Sequence, residues 1–432
     1  MAVLIDLGDP RGLDDEPEAG PLVSRAARRG AALVAVVLAG LLGLGGSAVV
    51  PPPPLVLVAH FDPPVTGPVV LSGDLALALE RRDGGRALLA IDGGAVRWRL
   101  PLEGLSTEVF SAVRAGRTLL VTLIDSAAPA EMWTTYAVEP DTGTALWQAR
   151  AMLLGVAPRA AEWTAVLGGG AEREWLGGRD VASGRELWRR AMSAPQGWTP
   201  YRVGPDLAGL VLFETAGRPQ ARLLTPDGVL GEPRPLPTGT EGMQVAANLV
   251  VAAYERDGAR RIAALRLPAL EPVWDVAHPV GGYPYYVEDC APMVCVTDSD
   301  RVWVLDPADG AARWQGQVGG SYALAPGVLV SNVNERPRYG VLRDTVTGRV
   351  LLRLADWSVI EHDGRSVLLA YVGDDRTWFG AAEPAGSGRP RVLGVGGPTL
   401  DRCWADTRGT ADAGLVVCQA LLGGLDVYRY TR

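Results

Sequence analysis

Lysine is absent from this 432-residue chain, so all 41 basic side chains are arginines, and histidine occurs only three times. Without lysine the chain has no G-x-x-x-x-G-K-[ST] motif, which excludes a P-loop nucleotide site. The chain also lacks the G-x-S-x-G elbow of many hydrolases and any distinctive segment built around a histidine. Because no catalytic constellation is found, the sequence predicts a protein that is not an enzyme.

Positive charge is too sparse for a nucleic-acid surface. The formal net charge is −8, whereas a phosphate-binding surface needs a clustered excess of basic side chains. No arginine-rich run of the required length occurs in the sequence. We therefore expect no nucleic acid among the partners.

Charged residues are missing altogether between residues 30 and 50, which read GAALVAVVLAGLLGLGGSAVV. At about 1.5 Å per residue this segment makes a helix roughly 31 Å long, enough to cross the hydrocarbon core of a bilayer. Arg25, Arg28 and Arg29 precede the segment, and no basic residue follows it closely. The positive-inside bias therefore predicts a single-pass transmembrane helix at 30–50 in the cell membrane, with the amino terminus cytoplasmic and the remainder extracytoplasmic.

The flanks of this segment favour an anchor over the alternative, a cleaved signal peptide. Residues 1–29 form a long acidic leader, which we expect to be a disordered cytoplasmic tail, and no small-x-small cleavage site is evident. Four prolines at 51–54 predict a short, extended spacer. Small residues recur every fourth position within 30–50, so helix-mediated self-association is possible, although an Ala/Gly-rich helix also produces such a pattern by chance.

Cysteine is scarce, with four residues, all on the predicted outer side. No C-x-x-C pair occurs and histidines are few, so no metal site is predicted. An even number of cysteines in an oxidising compartment indicates disulfides, for which three pairings exist. We favour Cys290–Cys295 and Cys403–Cys418, since each pair would join neighbouring strands; four buried free thiols are the alternative.

Beyond residue 55 long amphipathic helical patterns are absent, and short apolar runs alternate with turn residues, as in β-strands. One unit recurs: an apolar strand, a turn ending in Gly, and a second strand with Trp four residues after that Gly. The tryptophans of this repeat are Trp98, Trp147, Trp188, Trp274 and Trp314. Weaker copies place Glu232, Leu352 and Val392 in the same register, and Leu270 replaces the Gly before Trp274. The mean spacing of about 42 residues suits one four-stranded propeller blade.

This repeat resembles the tryptophan-docking motif A-x-D-x-x-T-G-x-x-x-W of quinoprotein (PQQ-type) propellers. Asp141, Thr142, Gly143 and Trp147 match it best. The resemblance implies an all-β fold for residues 55–432: a PQQ-like β-propeller of four-stranded blades, about eight in number within a range of seven to nine. Counting units gives nine, but closed rings usually have four to eight blades. The run Leu55–Phe61 is expected to supply the missing outer strand of the last blade.

The resemblance does not carry the chemistry of the quinoprotein enzymes with it. Those enzymes bring a catalytic Asp, calcium ligands and, in the alcohol-oxidising group, two adjacent cysteines, and no cysteines are adjacent here. We therefore expect no cofactor, while PQQ with calcium remains possible.

Three functions follow from these observations. The favoured one is a non-enzymatic scaffold that binds proteins or assists assembly in the cell envelope, with the cytoplasmic membrane and envelope proteins as partners. The alternatives are a membrane-bound PQQ-dependent oxidoreductase and a ligand-sensing ectodomain.

Overall fold

The computed structural model describes residues 55–431, apart from short segments that lie mostly between strands. The omitted segments are 63–64, 83–84, 103–107, 125–132, 158–162, 171–172, 193–195, 205, 215–216, 278–285, 298–300, 318–320, 326, 334–338, 363–366, 374–375, 384–389, 398–399, 407–412 and 421–422. The predicted tail, transmembrane helix and spacer (1–54) lie outside the described residues. Within the described part, no helix has the length and hydrophobicity needed to cross a membrane.

The described residues form 36 β-strands. The first half of the chain contains β1 (Leu55–Phe61), β2 (Val65–Ser72), β3 (Leu75–Arg82), β4 (Gly85–Asp92), β5 (Ala95–Leu102), β6 (Glu108–Ala115), β7 (Thr118–Ile124), β8 (Trp133–Val138), β9 (Ala145–Ala149), β10 (Met152–Ala157), β11 (Trp163–Gly170), β12 (Arg173–Asp180), β13 (Glu186–Ala191), β14 (Gln196–Val203), β15 (Asp206–Glu214), β16 (Gln220–Leu224) and β17 (Arg234–Pro235). The second half contains β18 (Thr240–Ala246), β19 (Leu249–Arg256), β20 (Ala259–Arg266), β21 (Glu271–Ala277), β22 (Tyr286–Cys290), β23 (Met293–Thr297), β24 (Arg301–Leu305), β25 (Ala312–Gln317), β26 (Ser321–Ala325), β27 (Val328–Val333), β28 (Tyr339–Asp344), β29 (Val350–Ala355), β30 (Ser358–His362), β31 (Val367–Val372), β32 (Thr377–Ala382), β33 (Arg391–Val395), β34 (Leu400–Asp406), β35 (Ala413–Ala420) and β36 (Leu425–Thr431).

These strands make nine antiparallel four-stranded sheets in the part of the chain that is described. Sheets 1 to 8 each take four consecutive strands, beginning with β2–β5 and ending with β30–β33. Sheet 9 has the order β1-β36-β35-β34. The sequence-based preference for eight blades was therefore one too low, although nine lies within the predicted range. The direct count of nine repeat units matches the number of sheets.

In sheet 1 the sequences of the second and third strands reflect burial on both faces. In β4, Leu88 to Ile91 are all buried, and β3 has the same continuous apolar run. A strand covered on both sides reads as an unbroken apolar stretch, without the alternation of a half-exposed strand. The fourth strand is different: in β5 only Trp98 and Leu102 are buried.

Nine apolar clusters join the sheets into a closed ring. One cluster packs Leu77 and Leu88 of sheet 1 against Leu119 and Val121 of sheet 2. Equivalent clusters join every consecutive pair of sheets, and the cluster containing Val417 joins sheet 9 back to sheet 1. Four-stranded sheets packed face to face in a ring are a β-propeller.

Strand β1 closes this ring. It pairs antiparallel with β36, from Leu55 opposite Tyr430 to Phe61 opposite Leu425. It therefore takes the outermost place of sheet 9, which the rest of the chain leaves unfilled. The predicted closing role of Leu55–Phe61 is confirmed.

Candidate functional site

All five predicted repeat tryptophans occupy the same place in their sheets. Each lies on the fourth strand just beyond a register shift and faces the third strand, as Trp98 faces Ala90. Each indole N–H donates to a backbone carbonyl in the turn between the third and fourth strands of the next sheet. The donor–acceptor pairs are Trp98–Pro140 (2.8 Å), Trp147–Val181 (2.8 Å), Trp188–Pro226 (2.9 Å), Trp274–Pro307 (3.0 Å) and Trp314–Thr345 (2.8 Å). The predicted tryptophan docking between blades is confirmed.

The Gly of the accepting turn is required for two reasons. Gly184, for example, has φ of +69°, in the left-handed region that suits glycine. A Cβ on it would lie 2.4 Å from Cγ of Trp147. Turn shape and indole packing therefore select the same residue, as they do at Gly143, Gly228, Gly310 and Gly348.

Acidic residues four positions before these glycines shape several of the turns. Asp180 accepts hydrogen bonds from the backbone N–H (2.8 Å) and the hydroxyl (2.6 Å) of Ser183, and these bonds lower the pKa of the Asp180 carboxyl. Thr347 lowers the pKa of Asp344 by the same two contacts. This is the local side-chain capping expected of an Asx-type turn.

In the best-matching repeat the turn is capped by the threonine and not by the aspartate. The Thr142 hydroxyl accepts from the N–H of Thr144 at 3.2 Å, as a turn cap does. Asp141 instead accepts from Arg97 of the preceding sheet at 2.8 Å. Asp141 therefore joins two sheets and does not cap its own turn.

Leu270 replaces the docking glycine in sheet 5, and the structure explains why. Its φ is +55°, so the backbone keeps the left-handed conformation. Its side chain is 2 % exposed and packs in the cluster between sheets 4 and 5. Sheet 4 supplies no tryptophan here. Its fourth strand, β17, consists only of Arg234 and Pro235. The leucine side chain therefore lies in the junction that an indole fills elsewhere.

Two of the three weaker register predictions need correction. Leu352 faces Leu342 at the tryptophan position, as predicted. Glu232 lies in an irregular segment before β17 and not in a strand. In β33 the equivalent position is Gly394, opposite Phe379, and Val392 lies on the other side of the register shift. A Cβ on Gly394 would meet the Cβ of Leu55 at 2.9 Å, so β1 occupies that space.

Both favoured disulfides are present. Cys290–Cys295 joins β22 to β23, and Cys403–Cys418 joins directly opposed residues of β34 and β35. Cys290, Cys295 and Cys418 are fully buried. Each bridge lies within one sheet, so the disulfides strengthen individual blades.

A hydrogen-bonded group holds the closing strand to its neighbour. Nδ1 of His60 on β1 lies 2.6 Å from Oδ1 of Asp426 on β36, and this hydrogen bond raises the pKa of His60. Tyr428 donates its hydroxyl to Oδ2 of Asp426 at 3.1 Å and accepts the N–H of Gly397 at 2.9 Å. Burial raises the pKa of Tyr428 to about 12. Gly396 and Gly397 pack against this phenol and this carboxylate.

A cavity of about 410 Å³ opens among the first strands of four adjacent sheets, β30, β34, β2 and β6. Its lining combines two carboxylates, Glu108 and Glu361, with the aromatic side chains of Phe110 and Trp404 and with aliphatic residues. Phe110 is 49 % exposed, and its ring lies edge-on to Trp133 with 4.6 Å between centroids. This volume falls in the range of small-ligand sites, which is about 300–1,000 Å³. The cavity is the candidate binding site.

Sequence reasoning missed this cavity entirely. Its residues come from four segments that are distant along the chain, and none belongs to the docking motif. The only signal in the sequence was Phe110, one of four phenylalanines, in an otherwise unremarkable strand.

A site for PQQ with calcium would need metal ligands. Among the described residues, no group of three or more His, Cys, Asp or Glu side chains is placed to hold a metal ion. The four cysteines are all engaged in the two disulfides.

Comparison with known proteins gives one family match. Residues 57–218 match the model of a family described as outer membrane protein assembly factor BamB. The matched residues include β1, sheets 1 to 3 and the docking tryptophans Trp98, Trp147 and Trp188. Together with the docking joints and four-stranded sheets, the match supports a PQQ-like β-propeller. No curated protein matches the chain significantly.

Three solved structures similar to this chain illustrate the comparison. BamB from Moraxella catarrhalis is 19 % identical, with 66 % of this chain and 83 % of that chain covered and a TM-score of 0.39. The Dos1 propeller is 11 % identical, with 87 % and 94 % covered and a TM-score of 0.44. Dihydro-heme d1 dehydrogenase NirN is 14 % identical, with 67 % and 66 % covered and a TM-score of 0.39.

Proposed function

We propose that this protein is a non-enzymatic scaffold that binds other proteins in the bacterial cell envelope. The observation that carries the proposal is the match of residues 57–218 to the BamB assembly-factor family. The matched part contains three of the five docking tryptophans, Trp98, Trp147 and Trp188. An assembly factor acts on other proteins, and a rigid ring of sheets offers a wide surface for that purpose.

The predicted helix at 30–50 completes this proposal. It would hold the propeller at the outer face of the cytoplasmic membrane, where an oxidising environment suits both disulfides. The two buried bridges therefore support an extracytoplasmic location. Fusing alkaline phosphatase, which folds actively only outside the cytoplasm, after residue 54 or 432 should give active enzyme. Inactive fusions of normal abundance would contradict the orientation.

The scaffold role is tested by cross-linking in intact cells. A photoreactive phenylalanine analogue is placed, one position at a time, at exposed residues of the full-length chain, including Phe110 and Val229 (62 % exposed). We expect at least one position to capture a discrete envelope protein reproducibly, while others capture none. A chain that cross-links nothing from any surface position would contradict the scaffold proposal.

The enzymatic alternative has a separate test. PQQ and calcium are added to the purified chain, and absorbance and dye-linked oxidation of sugars and alcohols are followed. The scaffold proposal expects neither cofactor uptake nor oxidation. Stoichiometric uptake with turnover would replace the scaffold by an oxidoreductase.

A further inference from the structure

Building on the proposed scaffold role, we propose that the cavity between sheets 8, 9, 1 and 2 receives an arginine side chain of a partner protein. The cavity is lined by the first strands of these sheets and contains Glu108, Glu361, Phe110 and Trp404. Its volume of about 410 Å³ admits a long side chain with its flanking backbone, but not a folded element.

The placement of Phe110 is the first step in this inference. Phe110 lies at a register shift of β6, between Val109 and Ser111, where the strand has one extra residue. Such bulges redirect a side chain. The bulge in β10 holds Leu154 and that in β26 holds Leu324, and both leucines are buried. Phe110 is half exposed at the corresponding place, so its ring is presented to the cavity.

Aromatic packing keeps that ring in position. Trp133 of β8 meets Phe110 edge-on, at an interplanar angle of 68°. A ring fixed by a second aromatic loses little side-chain freedom when a ligand stacks on it. Phe110 and Trp404 both line the cavity, and a guanidinium stacks well on the face of an aromatic ring.

Charge decides which kind of ligand fits this surface. Among the described residues that line the cavity, both ionisable side chains are glutamates, and none is basic. Glu108 is half buried, so its charge is less screened than on an open surface. Carboxylates beside aromatic faces complement arginine, since its planar guanidinium can accept a stack and donate to carboxylates together.

The first test uses a chemically defined probe and the purified full-length chain. The probe is a seven-residue glycine peptide with one central arginine and blocked ends, and the matched control peptide has citrulline in its place. Saturation-transfer NMR should show binding of the arginine peptide through its side-chain methylenes. We expect the citrulline peptide to bind at least about fivefold more weakly, in keeping with the loss of a partly buried ion pair.

Variants locate the binding to the cavity. Glu108→Gln should weaken the arginine peptide about three- to fivefold. Glu241 lies on β18, the first strand of sheet 5, at an exposed position that does not line the cavity. Glu241→Gln removes one negative charge there and should leave binding unchanged. Phe110→Leu gives this bulge the leucine that the bulges of β10 and β26 carry. It should weaken binding without unfolding the chain. Equal binding of the two peptides, or equal effects of the two glutamate variants, would overturn the cavity proposal.

A second test in cells separates this inference from the scaffold role. A photoreactive residue at Val70, which lines the cavity, leaves the aromatic and acidic groups intact. Capture of a segment containing arginine that is lost with Glu108→Gln but kept with Glu241→Gln supports both proposals. Capture that is insensitive to Glu108→Gln overturns the cavity proposal alone. Peptide binding in vitro with no capture from any surface position overturns the scaffold role alone.

Discussion

The indole of Trp147 lies over Gly184, so closely that a Cβ on this glycine would be 2.4 Å from the indole Cγ. The same indole donates its N–H to Val181, three residues before that glycine. Two neighbouring sheets are therefore joined by a hydrogen bond and a stacked contact that both depend on one turn. The relationship recurs at four other junctions, which makes it the repeating joint of the ring.

Replacing Gly184 distinguishes the cost of a clash with the indole from the cost of backbone strain in the turn. Gly184→Ala should destabilise the propeller by about 3 kcal/mol or more, because it adds a steric clash to the strain of a positive φ. Gly258→Ala is the matched control: its φ is +74°, but no atom lies within 4 Å of an added Cβ. It should cost about 1–2 kcal/mol from backbone strain alone. Chemical denaturation measures both, and equal costs would argue against the joint.

At Leu270, glycine should be tolerated better than alanine. Leu270→Ala removes a buried side chain and keeps the strained φ of +55°, so we expect a loss of about 3 kcal/mol. Leu270→Gly removes slightly more apolar surface but relieves the backbone, and should be the more stable of the two by up to about 1 kcal/mol. Thermal unfolding of the two variants decides this. Alanine more stable than glycine would contradict the assignment.

Stability from the His60–Asp426 pair should decrease as pH rises. The folded pKa of His60 is raised, mainly by its hydrogen bond to Asp426. The contribution is therefore complete below the unfolded pKa of about 6.5 and is lost as pH rises through the folded value. The melting temperature of the wild type should exceed that of His60→Gln more at pH 6 than at pH 9. The effect is below about 1 kcal/mol, since half of the imidazole is exposed. A difference that grows with pH would contradict it.

The disulfide with the longer loop should contribute more to stability. Cys403–Cys418 closes 15 residues and Cys290–Cys295 closes 5. In the chain-entropy model these loops are worth about 3 and about 2 kcal/mol. Replacing both cysteines of a pair by serine should therefore lower the denaturation midpoint more for the first pair. The reverse order would show that burial of the serines at the fully buried Cys290–Cys295 pair dominates over loop length.

Strand β1 should be replaceable by a peptide. Deleting residues 55–61 exposes the outer edge of β36 and empties the space beside Gly394, so we expect a lower melting temperature and aggregation. A synthetic peptide of residues 53–62 should restore the melting temperature by adding a strand to that edge. A scrambled peptide of the same composition is the control. Restoration by both peptides, or by neither, would contradict sequence-specific closure.

Much of the ring was predictable from sequence because its joints are local. Trp98, Trp147 and Trp188 each stand four residues after a Gly, and one short motif sets both turn and contact. The disulfides and the closing strand followed from the same repeat. Prediction failed where the motif is weak. Glu232 lies outside the two-residue strand β17, and in β33 the tryptophan position is Gly394 and not Val392.

The cavity was beyond sequence reasoning for a different physical reason. Glu108 and Glu361 are brought together only by ring closure, and neither lies in a motif. The exposure of Phe110 depends on a bulge, which follows from pairing and not from residue type. Features made by the whole ring therefore had to await the structure.

Closure by β1 also sets an order of events during synthesis. Sheets 1 to 8 are each made of one contiguous stretch, so each can assemble as its own residues emerge. His60, by contrast, meets Asp426 only after 366 further residues have been made. The first strand of the ring is then the last to find its partner, and until that moment it is an unpaired edge. A chaperone that shields this edge during synthesis would protect the protein at its most vulnerable stage.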